Sequence, residues 1–392
     1  MIDFPRVAIF LPLRGEQADR LMQGAADYAL HRRRLRFSAS ATGDIPVASS
    51  GMRMNFDGIV VDAYHYRALT RVAVAKKIPV VDVSGDHVER GLPNIAPDDL
   101  AVGAMAAEDL LNRGFNHFAF IGLNRKFSRL RQRGFERGLA RRGKSAHTLV
   151  QDISEVFGDP WARDALARFL ISLPRPIALF AATDFRARYV IPKCEALGIK
   201  VPEELAVLSC DNDEPVCQML NPPLSSIPLN SRRTGWEAAA MLDRLMQGES
   251  LPASTVLIPP LPIAQRRSSD AMAVADPDVH AAMRFIWERS NQPISVDDVI
   301  QHVAVSHRSL QLRFQKELGR TIRKEIARVR IERVKHLLSE TTSSISQIAE
   351  DCGFRDVQTL SQVFRRLTGI TPRTYRQRSS LSIAPIAEID AI

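Results

Sequence analysis

The chain of 392 residues is longer than one ordinary domain, and its balance of 45% hydrophobic against 25% charged residues excludes a disordered or fibrous protein. No apolar run reaches the length of a membrane span, and Met1 to Arg6 lacks the basic-then-apolar layout of a signal peptide, so a cytoplasmic protein with no membrane partner is expected. The formal charge of +9 is unevenly placed: residues 277–378 carry 18 Lys and Arg against 11 Asp and Glu, residues 1–276 carry 35 against 31, and the last fourteen are net negative.

From Arg6 to about Ser268, short β-branched runs alternate with helical patterns, the signature of an α/β protein. Residues 7–11, 57–61, 79–83, 118–121, 177–181 and 205–209 read as strands, most of them apolar throughout as doubly covered strands must be. Residues 17–29, 100–112, 129–140, 185–197 and 232–246 read as helices, and Gly114, Gly198 and Gly248 follow helical patterns where a left-handed cap is wanted. About 260 residues is large for one doubly wound sheet, which predicts two α/β lobes with a ligand between them. The four cysteines, Cys194, Cys210, Cys217 and Cys352, have neither zinc spacing nor a disulfide framework, so reduced thiols and no metal are expected.

Residues 265–276 change character and read as a linker, with Asp276-Pro277 starting a new helix. Beyond it no strand pattern appears. Apolar residues recur at helical spacing to about Arg378, predicting about seven short helices, and residues 379–392 read as a frayed tail. The predicted domains are therefore 5–268 and 277–378.

Two stretches of the second domain share one plan. Ser295 caps a helix through Gln301 with Asp297 and Asp298 in its first turn; a turn at Ala304 and Val305 follows, and Ser306 caps a second helix. There Leu310, Phe314 and Leu318 fall on one face, and Arg308, Gln311, Leu312 and Gln315 on another. Farther on, Ser344 begins a short helix, Cys352-Gly353-Phe354 turns, and Asp356 caps a helix to about Thr368. Leu360, Phe364 and Leu367 are its inner residues, with Gln358, Gln362 and Arg365 opposite. Residues 323–338 read as one helix separating the two units. Outward Arg and Gln side chains match base edges in a major groove, and two such helices one duplex turn apart can enter successive grooves. Phe314, Phe364, Trp287 and Tyr375 read as packing residues. A helical bundle with a basic exterior is the bland alternative.

The runs "IERVKHLL", "SISQIAEDCGF" and "VFRRLTGITPRTYR" resemble the AraC/XylS-type DNA-binding domain, which implies a pair of helix-turn-helix units binding a double-stranded DNA operator. By position, the resemblance places Arg308, Gln311 and Leu312 in its first recognition helix, and Val357, Gln358 and Gln362 in its second, as base-contacting residues. Leu312 stands where Arg is frequent, and Val357 where a polar residue is common. The runs "DGIVVDA", "IPVVDV", "IAPDDLAVGAMAAEDLLNRGFNHFAFIGL", "RLRQRGFERGL", "ALFAATDFRARYVI", "VPEELAVLSCDND" and "PPLSSIPLN" resemble the effector-binding domain of LacI/GalR regulators. That family carries its DNA-binding unit first; here it follows the sensor, an order similar to that of XylR-like regulators. The implied fold is an α/β two-lobed periplasmic-binding-protein-like sensor followed by an all-α domain with two helix-turn-helix units. The implied function is a sugar-responsive transcription regulator and activator, with a monosaccharide such as xylose as effector, a homodimer on DNA, and RNA polymerase as a partner.

Sugar hydroxyls call for carboxylates and guanidinium forks, and a sugar ring for an aromatic face. Arg131, three residues before Gly134, falls where the family places a ligand-clamping Arg; Arg125 and Phe127 precede it on a loop, Phe127 as a stacking aromatic. Asp184 and Asp211 each follow an apolar strand, at the carboxyl ends where ligands of α/β proteins gather. Blander readings stand beside these: Asp184 as a helix cap, Arg125 and Arg131 as solvated side chains. Asp211, Asp213 and Glu214 lack the ordered oxygens of a hard-cation loop. A competing function is a sugar or nucleotide enzyme with an accessory helical domain, but no phosphate loop, nucleophile elbow or zinc-ligand pair supplies it with catalytic residues or a cofactor.

Overall fold

The computed structural model describes residues 4–12, 16–32, 35–41, 55–85, 91–152, 160–251, 255–274, 276–289 and 292–379. Within them the strands, in chain order, are β1 (Arg6–Leu11), β2 (Arg36–Ala41), β3 (Gly58–Val61), β4 (Val80–Asp82), β5 (Asn94–Pro97), β6 (Phe118–Leu123), β7 (Ala146–Gln151), β8 (Ile177–Ala181), β9 (Leu205–Asp211), β10 (Ser225–Pro228) and β11 (Thr255–Ile258). The helices of the same part are α1 (Glu16–His31), α2 (Arg67–Ala75), α3 (Asp99–Asn112), α4 (Lys126–Ala140), α5 (Pro160–Ser172), α6 (Asp184–Ala196), α7 (Glu214–Met219) and α8 (Ser231–Met246).

Two wholly parallel sheets result, one in the order β11-β5-β4-β3-β1-β2 and the other β10-β9-β8-β6-β7. Each centres a lobe, because strands such as β6 and β8 are buried along their whole length and demand cover on both faces. The chain passes between lobes after β5, after β10 and after β11. Consequently α3 follows a strand of the first lobe yet packs with α4 on the second, where Val102, Ala106 and Leu110 join Phe118, Phe120 and Phe135. In the same way α8 returns to the first lobe, placing Ala238 and Leu242 against Val7 and Val60.

Both helix pairs approach backbone to backbone. A Cβ on Gly103 of α3 would lie 1.9 Å from the carbonyl oxygen of Arg131 in α4, and one on Gly235 of α8 1.9 Å from that of Leu21 in α1. No side chain fits at either point.

The third part is all-α: α9 (Pro277–Glu288), α10 (Val296–Val303), α11 (His307–Leu318), α12 (Ile322–Glu340), α13 (Ile345–Asp351), α14 (Val357–Thr368) and α15 (Pro372–Ser379). The expected caps are in place. Ser295 and Asp298 form a capping box, Ala304 takes φ 59° at the turn, and Ser306, Ser344 and Asp356 each accept a backbone N–H of the following helix. Helix α12 gives Ile322 and Ile326 to one small core and Ile331, Val334 and Leu338 to the other, so it joins two helical units, which also meet where Gly353 lies against Gln292 and Pro293.

Several expectations are corrected. Strands β2, β5, β7, β10 and β11 escaped the apolar pattern. Helix α4 begins at Lys126, so Phe127 sits in its first turn rather than on a loop. Leu367 is 49% exposed, because the last turn of α14 overhangs its core and Tyr375 packs edge-on to Phe364 instead, at 5.4 Å. The segment read as a linker is fastened to the second lobe: the Ser268 hydroxyl donates to the Val207 carbonyl (2.7 Å), and Arg266 donates to the Leu224 carbonyl (2.8 Å). Most of the tail read as frayed, residues 380–392, lies outside the described residues. The four cysteines are free and buried.

The helix contacts set a stability test. Gly103→Ala should cost about 3 kcal/mol or more, since the clash is with backbone that cannot rotate away. Gly198→Ala, at φ 71° with nothing within 4 Å, should cost only about 1 kcal/mol of left-handed strain. Urea melts of the two variants should separate these values; equal costs would mean that α3 and α4 yield easily.

Candidate functional site

The carboxyl ends of both sheets face the space between the lobes, and the charged groups of the sensor converge there. Arg131, 3% exposed, is the centre. Its Nε donates to Asp99 Oδ1 (2.8 Å), and its Nη1 to the carbonyl of Ala182 (2.5 Å) and to Asp211 Oδ1 (3.1 Å). One guanidinium thus ties the start of α3, the end of β8 and the end of β9. Its fork lies over the Phe127 ring at 5.0 Å.

Asp211 owes its position to backbone geometry. It and Asn212 take φ 117° and 52°, a tight reversal that non-glycine residues adopt only when their surroundings hold them. The hold is visible: the Asn212 amide donates to Ser226 Oγ (3.0 Å), while Arg266 donates to Asn212 Oδ1 (2.9 Å) and pairs with Glu214 (2.5 Å). Burial pushes the Asp211 carboxyl up to about 7; Arg131 pulls against that, and Asp184 adds to it.

Asp184 behaves differently. It is 1% exposed, and its oxygens accept from the hydroxyls of Ser209 and Ser226 (the latter at 2.6 Å), from the Asp213 amide (2.7 Å) and from the Cys217 thiol (3.4 Å). Burial raises its carboxyl above the ordinary range, against those bonds. It is not the helix cap either, since Thr183 accepts the Arg186 amide in that role. Asp184 therefore fastens together the ends of β8, β9 and β10 beneath the cleft.

The first lobe meets this cluster through residues the sequence reading missed. Gln17, in the first turn of α1, lies beside the Asp211 carboxyl and favours its charged form. Glu16 beside it accepts the Glu214 amide (2.7 Å). Arg125 lies 3.7 Å over the ring of Tyr64, which follows β3, and Lys126 Nζ donates to the Gly85 carbonyl (2.6 Å). Asp99 was also missed, although Asp98-Asp99 carried a signal: one acidic residue suffices to cap a helix, and Asp98 takes that role by accepting the Ala101 amide (2.9 Å). The second carboxylate was left for another purpose. Of the five candidates, Arg125, Phe127, Arg131 and Asp211 line or face the cleft, and Asp184 lies below it.

In the helical domain, α11 and α14 are the second helices of their units. Arg308, Leu312 and Gln315 are exposed on α11, with Gln311 half-buried; Val357, Gln358, Gln362 and Arg365 are exposed on α14. Leu310, Phe314, Leu360 and Phe364 are buried beneath them. Leu312 is 63% exposed, an apolar residue on an otherwise polar face. Arg313 turns away and pairs with Asp278 (2.6 Å) and Asp276 (3.3 Å) at the start of α9.

Residues 107–269 match the family described as periplasmic binding protein-like domain, and residues 299–378 match a helix-turn-helix domain. The chain is 33% identical over 334 residues to the xylose operon regulatory protein of Escherichia coli (strain K12), covering 83% of this chain and 84% of that protein. It is 32% identical over 333 residues to the protein of that name from Haemophilus influenzae, covering 83% and 86%. The solved structure of the xylose-binding transcription activator XylR aligns with 96% of this chain and 98% of its own, at 28% identity and a TM-score of 0.61. A LacI family transcriptional regulator from Enterococcus faecium, solved with bound ribose, covers 68% of this chain and 99% of its own at 19% identity and a TM-score of 0.55, a likeness of fold. These relatives are regulators, and none supports the enzyme alternative. With its sensor lobes first and its paired helix-turn-helix units last, the chain belongs to the XylR-like family of DNA-binding transcription regulators.

Proposed function

We propose that the chain is a cytoplasmic, sugar-gated activator of an operon for the use of xylose or a related carbohydrate. The observation that carries this reading is the Arg131–Asp211 pair at the strand ends, with Gln17 of the other lobe on the same carboxylate. A sugar entering there meets a forked donor, an acceptor and the face of Phe127 from one lobe, and Gln17 and Tyr64 from the other. Each hydroxyl can then donate to one partner and accept from another. A ligand held by both lobes favours their closed arrangement in proportion to its differential contacts. In this reading Arg125, Phe127, Arg131 and Asp211 meet the effector, while Asp184 fixes the floor beneath them. The names of the relatives point to xylose as the first sugar to try.

The DNA end of the mechanism uses Arg308, Gln311 and Leu312 on α11, and Val357, Gln358 and Gln362 on α14, set in successive major grooves by α12. Two chains on repeated half-sites, with RNA polymerase alongside, complete the proposed activator.

Three measurements test the reading. In a thermal-shift screen of monosaccharides, D-xylose at about one hundred times its Kd should stabilise the wild type by about 2.7 kcal/mol, and Asp211→Ala should lose most of that gain. A sugar that stabilises both proteins equally binds elsewhere and removes the cleft assignment. Arg308→Ala and Gln358→Ala should each weaken operator binding by about 1–3 kcal/mol at fixed salt while leaving the sugar shift intact; operator affinity untouched by both would remove the two recognition helices from the interface. The third concerns pH. The folded Asp211 carboxyl titrates at about 7, above its ordinary 3.8, so between those values the folded chain binds the proton more tightly than the unfolded chain. Stability in the absence of sugar should fall as the pH rises through that window, and sugar affinity should rise from pH 6 to pH 8 as the carboxylate forms. Calorimetric titrations and melts across that range check both trends, which Asp211→Asn should flatten.

A further inference from the structure

The cleft and the DNA-binding domain are attached to opposite ends of one helix. At the first residue of α3, Asp99 accepts Nε of Arg131 (2.8 Å). At its last residue, Asn112 receives two bonds from Arg320: Nη1 donates to its side-chain oxygen (3.0 Å) and Nη2 to its carbonyl (2.6 Å). The next residue, Arg113, is 1% exposed, bonds Asp109 (2.8 Å), and lies 4.6 Å over the indole of Trp287 in α9. Beyond it, a Cβ on Gly114 would touch Leu318, the last residue of α11, at 3.3 Å.

This joint is built of more than surface contacts. Glu325 of α12 is fully buried and is paired with both Arg320 and Arg328 (2.6 Å to the latter), and Arg328 lies 5.9 Å from the Trp287 ring. Burial works against the Glu325 carboxylate, yet Arg328 and Arg320 hold it below its ordinary value. The residue that reaches out to Asn112 is thus anchored inside the helical domain. Trp287, expected as a core residue, packs against the core of the helical domain and is also the stacking partner of a sensor-domain arginine.

The 14 residues of α3 span about 20 Å, and the Gly103 contact with Arg131 leaves α3 and α4 no room to slide on one another. We propose that α3 is a rigid relay: rearrangement of Arg131 and Asp99 when the cleft is filled shifts Asn112 and Arg113, and so re-seats the first helix-turn-helix unit through Arg320 and Trp287. Asn112 and Arg320 are positioning residues that touch neither effector nor DNA. The effector's identity rests on the sugar-sensing reading; the relay does not.

Hydrogen exchange on the full chain tests it without any ligand. Asp99→Ala, which removes the acceptor of Nε and leaves Arg131 its other two acceptors, should raise amide exchange across residues 318–328 by about five-fold or more. In the reverse direction, Asn112→Ala should speed exchange across residues 128–133. Unchanged exchange at the far end in both variants overturns the relay. With D-xylose and a duplex selected by the wild type from a randomised pool, the ratio of duplex Kd without and with sugar should fall toward 1 in Asn112→Ala and Arg320→Ala, by about five-fold or more. Asn112→Asp, which restores an acceptor for Arg320, should retain the ratio. Variants that fold, bind both ligands and keep the full ratio overturn the proposal. If D-xylose leaves the wild-type Kd unchanged, the effector reading fails, and the exchange measurements alone decide the relay.

Discussion

A guanidinium taken almost wholly out of water must be surrounded by acceptors, and Arg131 meets that demand with a carboxylate on α3, a carbonyl at the end of β8 and a carboxylate at the end of β9. The requirement runs both ways. Asp211 is held in a left-handed turn, and its burial raises its carboxyl to about 7 even with the arginine beside it. The second-lobe wall of the cleft is therefore a single charged unit, in which displacement of one member leaves another without its partner. A small polar molecule that replaces one of these bonds acts on three elements at once.

Rigidity and compliance are divided in the same physical terms. Within each lobe, paired helices meet at glycine with no gap for another atom, and close-packed interiors of this kind move as bodies. Between the lobes, polar contacts among the described residues include Arg125 on Tyr64, Lys126 on the Gly85 carbonyl, the Glu214 amide on Glu16, and Gln17 on Asp211. Single bonds and cation–π contacts of this type contribute about 0.5–1.5 kcal/mol each, a size that effector contacts can match. Three chain crossings leave the lobes connected and still able to shift.

Legibility in the sequence followed the range of the interaction. The caps at Ser295, Ser306, Ser344 and Asp356 are local, three or fewer residues from what they bind, and they marked the helical domain almost residue by residue. Apolar central strands such as β6 and β8 were equally plain. Strand β7, Ala-His-Thr-Leu-Val-Gln, is partly exposed at a sheet edge, and β10 is Ser-Ser-Ile-Pro with Ser225 bonded to Ser268 and Arg266 and Ser226 to Asp184; neither carries an apolar run. In the cleft, Arg131 and Asp211 stood out by type and position. Their partners did not, because Gln17 and Asp99 are separated from them by long stretches of chain, and nothing in a glutamine or a second helix-start aspartate announces a distant bond. Leu367 was misread for a related reason: helical period gives the face of a residue but not where the core beneath that face ends.

Buried charge is unevenly distributed through the molecule. Arg131, Asp99 and Asp184 lie at the cleft, Arg113 and Glu325 at the joint between the domains, and Asp82, Arg186 and Asp243 within the lobes, while the six apolar cores are built almost wholly of aliphatic and aromatic side chains. Pairs such as Glu325 with Arg320 and Arg328 contribute little net stability, because the cost of removing the ions from water offsets most of their attraction. Apolar residues of similar volume would serve a merely stable protein as well or better. What ion pairs and multiple hydrogen bonds supply, and methyl groups do not, is a strong penalty for any geometry but one. At the two ends of α3, where relative position carries information, the sensor and the DNA-binding domain therefore accept that cost in return for a fixed geometry.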